Sequence, residues 1–124
     1  MIRASLVALL MVVSCSAFAQ WTEVISTEEA THFIDFNGVK KDGARRTFWV
    51  LDNFKQRDET GDLSAMKRVV INCNNETYQR ISFSTFTAHF ASGSGTYTNS
   101  KAMEVIHVMP NTVLAAIMRS VCSK

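Results

Sequence analysis

The chain has 124 residues, 47% hydrophobic and 19% charged, with one Pro and five Gly, the composition of a single globular domain. Its 13 basic and 11 acidic residues leave a formal charge of +2, too weak for the basic footprint of a nucleic-acid binder, so no nucleic-acid partner is expected. The same figures exclude collagen-like repeats, low-complexity disorder and multi-pass membrane proteins.

Residues 1–19 read as a secretory signal. Arg3 gives the positive end, residues 6–13 (LVALLMVV) the apolar run, and Ala17-Phe18-Ala19 a small-x-small cleavage site. A run of about 8 apolar residues is far short of the roughly 20 that span a bilayer as a helix. A second route stays open, because Val12-Val13-Ser14-Cys15 fits the pattern of a lipoprotein signal in which Cys15 is lipidated. Cleavage after Ala19 implies an exported, soluble chain, whereas lipidation of Cys15 implies a membrane anchor. Either way the folded domain is expected over 20–124, near neutral in charge, with no internal repeat or linker.

Residues 21–25 (WTEVI) and 31–36 (THFIDF) alternate apolar and polar side chains and predict two strands. Asn37-Gly38 and Asp42-Gly43 flank Val39-Lys40-Lys41 as a double turn signal, with glycine supplying a positive φ. Residues 45–52 (RRTFWVLD) are rich in aromatic and β-branched side chains. Their Phe48-Trp49-Val50-Leu51 run is apolar on both faces and predicts a central, covered strand. A polar loop over 54–64 separates it from a strand over 66–73 that puts Val69, Ile71 and Cys73 on one face. Residues 78–90 predict one long strand whose apolar phase changes partway, which a bulge near Ser84-Thr85 would reconcile. Ser92-Gly93-Ser94-Gly95 predicts a turn and residues 103–108 (MEVIHV) a last strand, ended by Pro110. Leu114, Ile117, Met118 and Val121 then recur at helical spacing, with Asn111 or Thr112 as the cap.

Beyond the leader only Cys73 and Cys122 remain, and an exported chain meets oxidising conditions. A Cys73–Cys122 disulfide is therefore predicted, pinning the helix to the sheet; two cysteines without CxxC or HxxxH spacing are a poor metal site. The expected fold is α+β: an antiparallel sheet of about five or six strands with one C-terminal helix packed on it.

Catalytic signatures are absent: the chain has no GxSxG, HExxH, P-loop or paired-carboxylate spacing. His32, His89 and His107 fall in separate predicted strands, and a small secreted hydrolase would need at least two of them to converge with carboxylates. No cofactor or metal is implied. Lys40-Lys41, Arg45-Arg46 and Lys67-Arg68 are the concentrated charge. Lys40, Lys41, Arg45 and Arg46 would share one end of the sheet and form a candidate patch for an anionic partner, against a bland reading as solvated loop charge.

Taken in order, Trp21, Phe48-Trp49-Val50, Ser64 before a strand ending in Cys73, and Met109-Pro110-Asn111-Thr112 leading to Val121-Cys122 resemble the bacterial surface-adhesin protein E-like family. The resemblance spans nearly all of residues 21–122. It implies a small exported domain, sometimes dimeric, without catalytic residues. It further implies a periplasmic or surface location and a protein partner among host extracellular-matrix and serum proteins such as laminin and vitronectin. A periplasmic structural or interaction protein, with an exposed apolar patch, is the alternative.

Overall fold

The computed structural model describes residues 20–123; the expected leader and its Cys15 lie outside them. Eight strands form one antiparallel sheet among the described residues. They are β1 (Thr22–Ser26), β2 (Ala30–Ile34), β3 (Lys40–Asp42), β4 (Arg45–Phe54), β5 (Ser64–Asn72), β6 (Thr77–Phe86), β7 (Gly95–Asn99) and β8 (Ile106–His107), followed by helix α1 (Val113–Cys122). The sheet is six strands across, in the order β1-β2-β4-β5-β6-β7, with β3 sharing the flank of β4 with β2 and β8 sharing the flank of β6 with β7.

β4 is central, as its doubly apolar run requires, and pairs with β5 along its length from Arg45↔Asn72 to Asn53↔Ser64. Its even positions Phe48 and Val50 join Val69 and Ile71 of β5 and Ile34 of β2 in one cluster, closed from above by Ile117 and Val121 of α1. Thr112 caps the helix by accepting from the Ala115 N–H. Cys73, one residue beyond β5, is bonded to Cys122 across 49 residues of sequence, with Cα atoms 5.8 Å apart.

On the opposite face Leu51 is fully buried, and the loop over 87–94 folds back to cover that end of the sheet. The Ser64 hydroxyl donates to Ala88 O at 2.6 Å and accepts from Ala91 N–H at 3.0 Å. Phe90 N–H donates to Asn53 Oδ1 at 2.8 Å, and its ring lies 5.3 Å from that of Phe33. A side chain at Gly93, where φ is +76, would collide with Thr87.

Several boundaries differ from the sequence reading. The long strand ends at Phe86, because residues 87–94 turn back over the sheet, so His89 lies in this loop and not in a strand. The extra residue of β6 falls at Ile81, where the register with β5 steps between Arg68 and Val69; beside the expected Ser84-Thr85 position a second irregularity lies between Thr85 and Phe86, but there β7 carries the extra residue, Thr96. Residues 103–108 supply only the two-residue β8, because their apolar side chains have no second layer to pack against and most stay exposed. β7 (GTYTN) carries no strong apolar alternation, so the sequence gives it no strand signal. Asn37-Gly38 belongs to a 3₁₀ turn (Phe36–Gly38) capped by the Asp35 side chain, so the positive φ sits at Gly43 alone of the two glycines.

Candidate functional site

Two faces of the sheet carry chemistry, separated by the alternation of β4 and β5. Facing away from α1 are Arg45, Thr47 and Trp49 of β4, with Arg68, Val70 and Asn72 of β5 alongside in register. Directly opposed side chains in an antiparallel pair share a face. Trp49 is 37% exposed, and the Arg68 guanidinium lies over its ring at 5.3 Å from the centroid, a cation–π contact. Lys40, opposite Thr47, adds a third cation from β3. A shallow groove of about 260 Å³ runs from Arg45 past Val70, Asn72 and Gln79 to Val105. Val105 belongs to the ribbon along the outer edge of β6, where Tyr97, Met103, Ile106 and Met109 are also exposed, Met109 at 64%. That ribbon is held by β7, by β8, by Met103 N–H to Arg80 O and by Val108 N–H to Glu76 O.

The four cations singled out in the sequence are thus divided. Lys40 and Arg45 stand on the open face. Lys41 and Arg46, directly opposite each other, stand on the α1 side, where Arg46 Nη1 donates to Gly43 O at 2.7 Å and Arg45 O at 3.1 Å and stitches the turn. Lys67 and Arg68 part in the same way, because adjacent strand residues face opposite sides. The apolar run at Phe48–Leu51 leads to the expectation of a strand covered on both faces, but Trp49 is exposed because among the described residues nothing covers that end of the sheet; the signal for a surface role is the neighbour relation Trp49↔Arg68, which exists only once the β4–β5 register is known.

On the α1 side the Asp52 carboxylate is buried between two partners. Lys67 Nζ lies 2.6 Å from Oδ2 and His32 Nδ1 lies 2.6 Å from Oδ1. Burial by itself would raise the Asp52 carboxyl, but the His32 hydrogen bond and the Lys67 ammonium outweigh it and hold the group below the usual carboxylate range. An ionised carboxylate only accepts, so His32 Nδ1 carries the hydrogen. Nearby, burial is the main cause that pushes the Tyr78 hydroxyl up to about 12, with Arg80 lowering it and Asp52 adding to the rise.

The histidines do not converge. His32 meets Asp52, His89 Nε2 donates to Phe54 O at 2.8 Å from the 87–94 loop, and His107 is exposed on β8 opposite Thr77. Among the described residues no group of three His, Cys, Asp or Glu side chains is placed to hold a metal.

The family model for surface-adhesin protein E matches residues 21–123. Among solved structures, crystal form II of Haemophilus influenzae protein E superposes with a TM-score of 0.66 at 13% identity, covering 86% of this chain and 89% of that one. Protein E from non-typeable Haemophilus influenzae gives a TM-score of 0.61 at 13% identity, covering 88% and 79%. These likenesses carry the fold, and no curated protein matches the sequence. With the family model spanning the whole folded part, the chain belongs to the surface-adhesin protein E family.

Proposed function

We propose that this chain is a non-enzymatic, exported protein-binding module of the cell envelope that docks a host matrix or serum protein on its open sheet face. The observation that carries the reading is the exposed Trp49 under the Arg68 guanidinium, flanked by Lys40 and Arg45 and continuous with the apolar ribbon at Val105. Tryptophan and arginine are the side chains that most often dominate protein–protein contacts, because they bury large areas and keep polar edges. The flanking cations suit a partner with an acidic surface and make docking dependent on salt. Membership in a surface-adhesin family supports the same reading. Export is assigned to residues 1–19, with the surface reached through a lipid on Cys15 or the periplasm through cleavage after Ala19.

The divided cations provide the test. Reversing Lys40 and Arg45 to Glu is expected to weaken binding to laminin or vitronectin at least tenfold, while reversing Lys41 and Arg46 leaves it within about threefold. Equal losses from the two pairs would show that general charge, and not the open face, drives the contact. The exposed Met103, Val105, Ile106 and Met109 favour one second reading, an interaction surface for another envelope subunit or a second copy. Under that reading Val105→Asp shifts the sedimentation coefficient of the protein and leaves matrix binding unchanged.

A further inference from the structure

The face opposite the docking surface holds a cavity of about 320 Å³ beside the first two turns of α1, lined by His32, Val50, Lys67, Tyr78, Leu114 and Ile117. Its volume sits at the lower end of the range for small-molecule sites. Its walls are of two kinds. Val50, Leu114 and Ile117 give an apolar surface on the sheet and the helix. Lys67 and Tyr78 bring hydrogen-bonding capacity that the fold does not consume. The Lys67 ammonium has three donors, and among the described residues only Asp52 pairs with it. The Tyr78 hydroxyl makes no hydrogen bond among the described residues.

The local charge favours an anion. Asp52 offsets Lys67, and Arg80 remains; its guanidinium lies 4.0 Å from the Phe83 ring centroid with no carboxylate partner among the described residues. Arg80 is close enough to act electrostatically on the Tyr78 hydroxyl. Glu28 and Glu29 line a neighbouring cleft that shares His32 and Val113 with this cavity, and neither carboxylate lines the cavity itself, so a head group at Lys67 and Tyr78 meets no acidic wall among the described residues except the paired Asp52. Ion pairs withdrawn from water add little to stability by themselves. In the His32–Asp52–Lys67 set the carboxylate is buried and the Lys67 side chain keeps partial access to water, so the pair fixes the Lys67 ammonium at the cavity wall with donors to spare.

We propose that this cavity binds a small amphipathic monocarboxylate, its tail against Val50, Leu114 and Ile117 and its carboxylate accepting from the Lys67 ammonium and the Tyr78 hydroxyl. Tyr78 lines both this cavity and the open-face groove, whereas Lys67 and Leu114 line the cavity and not the groove, so small-carboxylate binding and protein docking are read separately and either can fail without the other.

Titration of the ¹⁵N-labelled protein with octanoate tests it, with octylamine as the control of opposite charge. Saturable shifts are expected around His32, Lys67, Tyr78 and residues 113–117, with half-saturation below about 10 mM. Octylamine should give none of these shifts. Tyr78→Phe should weaken octanoate severalfold, and Leu114→Trp, which fills the cavity, should abolish binding while the rest of the spectrum keeps its dispersion. No saturable shift, equal response to octylamine, or undiminished binding by both variants would each overturn the proposal. Should Leu114→Trp fail to fold, Tyr78→Phe decides alone, since it removes one hydroxyl and keeps the ring.

Discussion

Asp52 is 3% exposed and yet stays ionised, because each carboxylate oxygen has a positive or donating partner at 2.6 Å. Removing a charge from such a buried set typically costs about 3–5 kcal/mol, with the lower end expected here because Lys67 keeps partial access to water. The lowered folded-state value has a definite sign for acid stability. The Asp52 contribution is present above the unfolded value, near 3.8, and is lost as pH falls through the lower folded value. Unfolding free energies of the native protein and Asp52→Asn should therefore differ at neutral pH and converge as pH drops below that window. A constant difference down to pH 2 would contradict the assignment. Tyr78 behaves oppositely. Its folded value near 12, against 10 unfolded, favours the folded state fully below pH 10 and loses that contribution as pH rises toward 12. Alkaline denaturation of Tyr78→Phe should accordingly be shallower over that interval than that of the native protein.

Among the elements, α1 depends on tertiary ties more than on its own propensity, since a ten-residue helix is marginal in isolation. Two ties hold it: the burial of Ala115, Ile117 and Val121 and the bond to Cys73. Closing 49 residues restricts the unfolded chain by about 4 kcal/mol on the entropy model. A Cys73→Ala, Cys122→Ala double variant should lose about that much in a denaturant melt, with the helix the first part to lose amide protection. Unchanged stability would mean that packing alone secures it. This helix, its cap and its disulfide were legible in the sequence because a 3.6 period and a lone cysteine pair are local signals. The central strand was legible for the same reason, from the run at Phe48 to Leu51. The position of the bulge at Ile81 and the short β7 and β8 were not, because a strand's partner decides which residue is left unpaired and whether an edge segment orders at all. The candidate site was half legible. Four basic residues marked the right hairpin, but their division between faces follows from register, and Asp52 meets His32 only because β2 and β4 pair antiparallel with those residues opposed.

At the scale of the whole molecule, the sheet has two unlike faces. Its α1 side holds the core, the disulfide and the polar set around Asp52. Its other side is covered at one end by the 87–94 loop and open at the end that carries Trp49, Arg68, Arg45 and Lys40. Side chains on the open face therefore stand apart from the cluster of Phe48, Val50, Val69 and Ile71 beneath α1, which lies on the other side of the same strands. Substitutions at Trp49 and Arg68 should consequently alter binding far more than folding. The most direct measurement is surface plasmon resonance of the native protein and a Trp49→Ala, Arg68→Glu variant over immobilised laminin and vitronectin, with circular dichroism confirming that both are folded. The open-face account predicts saturable, salt-sensitive binding by the native protein to at least one of the two, reduced tenfold or more in the folded variant; binding of equal strength by the variant, or none by the native protein, would contradict it.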